Sequence, residues 1–403
     1  MAVSTLPELL EAPAVSAQQA PEALTETSRR IADQVAGPAA VSVDREARFP
    51  HEAVDALRSA RLLGALVPRE FGGLGADLKE MVSITETLAR RCAATGMIFA
   101  MHQIQVACLA RHALQQAAFR RYLEELALGQ RLIASVTSEI GVGGDLRKSV
   151  AAVLPGPHAA RLEKRAPTVS YGEHADDLLV TARRAPDAAP NDQVLVLLRR
   201  GDFALERLSD WNTLGMRGTC SPGFVVRGAF APDQIVPGDF AEIACQTMVP
   251  VSHLLWSAVW LGIAGDALSK AHTFVRSEAR RQPGSVPPGA LRLAEARALL
   301  DSLQGRMQAM LVDYQAACDS CDGALSGLAW SVKINGLKLS ASELVVEIVT
   351  RALGIIGMAG YREDGELSVA RHLRDAHSAA LMISNDRIYA ANASLLLVQK
   401  ESR

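Results

Sequence analysis

Residues 135–145 read Ser135-Val136-Thr137-Ser138-Glu139-Ile140-Gly141-Val142-Gly143-Gly144-Asp145. A short apolar run from Leu132 feeds two hydroxyls, a carboxylate and then three glycines within four positions. Glycines without Cβ let backbone N–H groups approach a ligand closely. Thr137 and Ser138 add hydroxyl donors and acceptors beside them. The alternative is a glycine-rich β turn that binds nothing. No G-x-G-x-x-G lies between a strand and a helix, so no Rossmann dinucleotide site is visible.

The chain changes character on both sides of this stretch. Residues 1–25 mix Ala, Pro, Ser, Thr and Gln without period and read as a mobile arm. Residues 26–131 carry helical periodicity. Val54, Leu57 and Leu63 sit near helical spacing, and Met81 to Ala94 forms another helix. Between them, Pro68 and the glycines at 72, 73 and 75 break the pattern. Residues 132–246 show short β runs at Leu178–Val180, Val194–Leu198 and Phe224–Val226, separated by Pro, Gly and Asp/Asn clusters. No long amphipathic helices alternate with them, which argues against a doubly wound parallel sheet. Over residues 247–403 helices return at Gly262–Arg276, Ala290–Ala317, Ser326–Ala352 and Leu381–Val398. The last should place Leu381, Ile388, Ala391, Leu395 and Val398 on one face. The fold class is therefore α+β, mainly α, in the order helices, β domain, helices.

Composition excludes several function classes. The 403 residues are 49% apolar and 21% charged, with formal net charge −2, which is globular and carries no basic field for nucleic acid. Aromatics at 4% are too few for base-stacking platforms. No uninterrupted apolar run reaches the ~20 residues of a membrane span. The N-terminus shows no secretory pattern, so a cytoplasmic location is expected. Six cysteines do not form a disulfide framework, and Cys318-Asp319-Ser320-Cys321 reads as two ordinary thiols. No metal-ligand spacing stands out.

Four motifs in order resemble the acyl-CoA dehydrogenase family over roughly residues 30–400. Pro68 to Gly75 (PREFGGLG) is similar to its P-x-x-[YF]-G-G-x-G turn. Thr137 to Asp145 is similar to T-E-P-x-x-G-S-D. Leu214 to Ser221 (LGMRGTCS) is similar to L-G-x-R-x-[ST]. Gly357 to Tyr361 (GMAGY), followed by Arg374-Asp375-Ala376, is similar to its G-G-x-G-[YF] and R-D-A pair. The resemblance implies a β-barrel-like or sandwich middle domain, a C-terminal four-helix bundle and non-covalent FAD. It implies a homodimer or homotetramer in which the flavin lies between the β domain, the C-terminal helices and a neighbouring subunit. Thr137, Ser138, Gly143, Gly144 and Asn385 would surround that flavin, as would Thr168, Val169 and Ser170 on the strand that the resemblance lays against its ring. Gly357, Met358 and Gly360 would approach the pyrophosphate. Arg280 stands at the place of an arginine that reaches FAD phosphate across the interface, with planar charge-assisted donors. Pro283, Pro287 and Pro288 depart from that motif, so Arg281 remains its alternative.

The family's desaturation of an acyl thioester requires a carboxylate that removes the α-proton while the flavin takes the β-hydride. Counting from Asp375, the main position for that carboxylate holds Ile383, and the alternate position holds Ser252. Neither can serve as a base. Asp386, one helical turn beyond Ile383, and His253, beside Ser252, are the substitutes considered; Glu363, Asp364 and Glu366 follow. Three readings result. The first is an FAD-dependent desaturase of an acyl thioester with a substitute base. Tyr171-Gly172 and Ala175-Asp176 are similar to relatives of which some act on carrier-protein thioesters, so CoA and acyl-carrier protein are both considered. The second is a flavin monooxygenase, which also lacks the carboxylate. The third is a non-catalytic acyl-thioester or flavin-binding homologue. The electron acceptor is not readable.

Overall fold

The structure, a computed structural model, describes residues 21–320 and 323–399. The arm expected over residues 1–25 lies outside them, except for its last five residues, which open a helix on which Leu24 is already buried. Six helices come first: α1 Pro21–Ile31, α2 Gly37–Arg45, α3 His51–Ser59, α4 Leu78–Arg91, α5 Ala93–His112 and α6 Ala117–Gly129. The start of α4 is written locally. The Asp77 carboxylate accepts from Glu80 N at 2.8 Å, and Asp77 N donates to the Glu80 carboxylate at 2.8 Å, a reciprocal capping box. Cys92 adopts extended backbone and divides α4 from α5, where periodicity had run one helix through to Ala94.

The β domain holds β1 Ile133–Val136, β2 Ala160–Ala166, β3 Asp177–Arg183, β4 Gln193–Leu198, β5 Phe203–Arg207 and β6 Phe224–Phe230. They form two three-stranded sheets, β1-β3-β4 and β2-β6-β5. The sheets face each other. A Cβ placed on Gly228 of β6 would lie 2.7 Å from the Leu198 side chain of β4. β3 and β4 are buried on nearly every residue, so they read as unbroken apolar runs. β2 alternates buried and exposed, which puts Ala160, Leu162, Lys164 and Ala166 inward. One pairing is parallel, Ile133 opposite Asp177. Its connection is long enough to cross over, and it carries the glycine-rich stretch and β2.

The third part comprises α7 Phe240–Ile243, α8 Val249–Arg281, α9 Gly289–Ser320, α10 Leu328–Ile356, α11 Met358–Tyr361, α12 Ala370–Ala376 and α13 Asn385–Val398. The long helices α8, α9 and α10 pack together, and α13 lies against α10. α5 and the run Phe240–Arg281 are long and apolar enough to cross a membrane, yet both are buried in the core. One apolar core links all three parts.

The last helix differs from its expectation. It begins at Asn385, not Leu381, because residues 377–384 form turns that end on Ile383 at φ +47°. Of the face expected from periodicity only Ile388 is buried; Leu381 and Val398 are exposed. α13 rests on α10 through Ile388 and Asn392 and through polar anchors, so most of its apolar surface points outward. Cys321 lies outside the described residues. Cys318 Sγ accepts an N–H of Arg111 at 2.9 Å.

Candidate functional site

The loop after β1 is held by one buried carboxylate. Glu139 accepts from Ala151 N at 2.6 Å, Val150 N at 3.0 Å and Ser149 Oγ at 2.7 Å, and it faces Lys164 Nζ at 3.3 Å. Lys164, the one charged residue on the inward row of β2, also donates to the carbonyl and hydroxyl of Thr181 at 2.8 and 2.7 Å. Burial lowers its pKa to about 8, against the pull of Glu139. Ile140 N donates to Arg165 O, and Ser138 Oγ donates to Thr168 O at 2.6 Å. This clamp presents Gly143 and Gly144 at φ +59° and +74°. A Cβ on Gly143 would meet nothing within 4 Å, whereas one on Gly144 would strike the guanidinium of Arg387 at 1.9 Å. The loop therefore meets the first turn of α13 at Gly144 and stays open at Gly143.

Beside it runs a chain of hydroxyls. Ser221 Oγ donates to Ser170 Oγ at 2.8 Å, Thr219 Oγ1 lies 2.9 Å from Ser221 Oγ, and Thr219 Oγ1 donates to Met216 O at 2.8 Å. Val169 is buried, and Thr168 is exposed beside it. The stretches Leu214–Ser221 and Arg374–Ala376 prove to be two halves of one contact. Met216 N donates to the buried Asp375 carboxylate at 2.6 Å, and Gly215 packs so tightly that a Cβ would lie 2.2 Å from Arg374 O. Arg374 in turn pairs with Asp44 and Glu363. The β domain, the N-terminal helices and the bundle meet here.

Burial raises the Asp375 pKa to about 6. A carboxyl whose folded pKa exceeds its unfolded value stabilises the fold only while protonated. Its contribution is present below about pH 4 and is lost as pH rises to about 6. Asp375→Asn keeps an acceptor for Met216 N and removes the titration. Relative to the parent, the variant should gain roughly 2–3 kcal/mol between those pH values, measured by urea unfolding at each pH. A pH-independent difference would refute this.

The remaining candidates fall in two places. His253 is buried in α8, with Nε2 3.3 Å from Asn335 Oδ1 and Nδ1 without a partner. Burial, then the charge of Lys338, lowers its pKa to about 3, so it is a neutral ring and a weak base. Asp386 is exposed at the first turn of α13. Asn385 turns its amide inward onto Lys338 and Ser342. Gly357, at φ +69°, Met358 and Gly360 close α10, about 22 Å along that helix from Ser342. Gly289, the first residue of α9, packs on Ile355 beside them, and Arg280 is exposed on the last turn of α8; Arg281 pairs with Glu278 at 2.8 Å. A single chain thus carries two separate clusters, one around Gly143, Gly144 and Asn385, the other around Gly357 and Arg280. Periodicity placed Lys338 inside a helix with nothing to mark it; its burial depends on how α10 packs. A cleft of about 550 Å³ lined by Arg58, Glu125, Arg131 and Asp176 shares no residue with either cluster. Its arginines are paired with Asp176 and Asp177, which makes it an interdomain ion-pair seam. Among the described residues no group of His, Cys, Asp and Glu is placed to hold a metal.

Sequence profiles described as acyl-CoA dehydrogenase, N-terminal domain, and acyl-CoA dehydrogenase, C-terminal domain, match residues 18–130 and 244–383. The chain belongs to the acyl-CoA dehydrogenase family. Its relatives do not share one reaction. It is 24% identical over 369 residues to the short-chain specific acyl-CoA dehydrogenase of Clostridium acetobutylicum, covering 88% of this chain and 92% of the relative. It is 28% identical over 349 residues to the amino sugar nitrososynthase DnmZ of Streptomyces peucetius, covering 84% of each. The fold matches the crystal structure of dibenzothiophene monooxygenase TdsC from Paenibacillus sp. A11-2 with a TM-score of 0.78 at 20% identity, over 94% of this chain and 98% of that one.

FAD is the cofactor of the acyl-CoA dehydrogenase family, and the residues present fit it. Gly143 leaves open space where a Cβ would stand, Ser138 Oγ ties its loop to Thr168 O, and Ser170 Oγ follows two residues on in the hydroxyl chain. Ser138, Gly143, Gly144, Thr168 and Ser170 would hold the flavin from this chain.

Proposed function

We propose that this acyl-CoA dehydrogenase-family flavoenzyme is a flavin-dependent monooxygenase. The observation that carries the reading is Ile383. The position at which the family resemblance puts the carboxylate holds a branched alkyl chain, 41% exposed, that moves no proton. When bound, the flavin supplies two-electron chemistry, activating dioxygen in its reduced form or taking electrons from substrate in its oxidised form. Asp386 is solvated, and His253 spends Nε2 on Asn335 and is held neutral by burial. What this chain supplies at that position is an alkyl side chain that offers substrate an apolar contact without deprotonating carbon. The nitrososynthase and monooxygenase relatives favour the same reading. Desaturation of an acyl-CoA or acyl-carrier-protein thioester, which the dehydrogenase relatives favour, requires a base that these positions do not provide.

The test is anaerobic. A panel of acyl-CoAs should leave the oxidised protein yellow. Reduced flavin from a separate reductase, with oxygen, should insert an oxygen atom into an amino-sugar nucleotide or a sulfur heteroaromatic. Bleaching by any acyl-CoA without oxygen would overturn the reading. Failure of both assays would leave a binding homologue.

Assembly is part of this reading. α13 ends with Leu396, Leu397 and Val398 exposed, Leu397 at 88%, and Met358 and Tyr361 are exposed at the other cluster. Faces of this kind are covered in closed symmetric oligomers. A homodimer or homotetramer, in which Arg280 and Gly357 serve a neighbour's flavin, is the expected result of light scattering on the FAD-bound protein. A monomer with full flavin content would refute it.

A further inference from the structure

The helical bundle also buries a cation, Lys338. It lies on the inner face of α10, fully removed from solvent, with no carboxylate bonded to it. Its three N–H bonds are all used. Nζ donates to Ala379 O at 3.1 Å, Ile383 O at 2.9 Å and Asn385 Oδ1 at 2.6 Å. The indole of Trp260 faces it from α8, 5.7 Å from Nζ to ring centroid. The charged or titratable groups that act on it are His253 from α8 and Glu343 from its own helix, and Glu343 is bonded to Tyr389.

Desolvating an ammonium costs several kcal/mol unless its donors are satisfied. Here they are satisfied by one segment alone, residues 379–385. That segment contains a strained residue. Ile383 is β-branched and sits at φ +47°, a conformation such side chains rarely adopt. The same ammonium holds its carbonyl. It also fixes the Asn385 amide, whose Nδ2 donates to Ser342 Oγ at 3.1 Å. Asn385 opens α13, and two residues on Arg387 lies across Gly144.

We propose that Lys338 is a positioning residue: its ammonium locks the turn at Ile383 and the first residue of α13 against α10, which sets the wall of the flavin site opposite Gly143 and Gly144. This rests on the flavin reading above, in which the glycine loop faces the cofactor. Lys338 itself touches no substrate.

The experiment is FAD binding to apo-protein, followed by flavin fluorescence and the visible spectrum. Lys338→Met keeps the stem and removes the donors. It should weaken FAD at least ~10-fold and shift the bound-flavin spectrum, with helical circular dichroism retained. Asn385→Ala should weaken binding too. The double variant should be no worse than Lys338→Met alone, as expected of residues that act through one contact. Parent-like affinity and spectrum in Lys338→Met would overturn the proposal, as would additive effects in the double variant. If Lys338→Met does not fold, Ser342→Ala decides. It withdraws the second anchor from the same amide without approaching the flavin; a loss of at least ~3-fold supports the proposal, and parent affinity sinks it. A parent that binds no FAD at all overturns the flavin reading itself, a different result from a parent that binds and a variant that binds equally.

Discussion

Glu139→Ala should cost about 3–5 kcal/mol of stability, because it strands the buried ammonium of Lys164 without a counter-charge. The carboxylate also takes Ser149 Oγ and the N–H groups of Val150 and Ala151, of which Ser149 and Ala151 are buried. The buried N–H of Ala151 would lose its acceptor, a further desolvation cost, while Ser149 Oγ keeps Ala151 O at 3.2 Å. The loop it clamps carries Gly143 and Gly144, so flavin should be lost as well. Chemical denaturation and flavin content measure the two effects. The control is Glu139→Ala with Lys164→Met, which removes both charges and should recover a large part of the stability, because an absent pair costs less than a broken one. Glu139→Ala with parental stability would show that the clamp does not hold the loop.

Ile383→Glu should create acyl-CoA-dependent anaerobic flavin reduction at least ~10² above the parent, since positioned proton transfer contributes about that much. Glutamate lacks the β-branch, so the left-handed backbone at this position suits it better than isoleucine. Lys338, 2.9 Å from the carbonyl of residue 383, would hold the new carboxylate in its ionised form. A parent that is already reduced as fast as the variant would defeat the monooxygenase reading and require a substitute base. Asp386→Asn would then slow reduction by ~10² if Asp386 is that base. If that variant is unchanged, His253→Gln becomes the candidate, although burial has already made that ring a poor base.

The glycine-rich stretch, the R-D-A triplet and the order of helices and strands are local features, and local chemistry wrote them. Gly143 is needed because its backbone takes φ +59°, and Asp77 caps α4 through bonds within three residues. Those features were legible, as was the vacancy of acid at Ile383, because a residue type is visible without a fold. The face of α13 was not. Its apolar spacing is good for a helix, but the helix lies on the outside of α10 and starts four residues later than periodicity suggests. The division of α4 from α5 at Cys92 and the parallel pairing of β1 with β3 were hidden for the same reason.

The sequence by itself determined the family frame, the element types and the residue that stands where a base would be. Only the tertiary structure decided that Asp375 joins the R-D-A triplet to Met216, that Glu139 and Lys164 neutralise each other inside the β domain, that His253 is a neutral interior ring, and that Lys338 is a buried cation on the segment of Ile383. The physical reason is range. Turn and cap preferences act over three or four residues, whereas desolvation depends on every element that closes around a charge. Lys338 and Ile383 are 45 residues apart in the chain, and only the packing of α10 against that segment makes them neighbours.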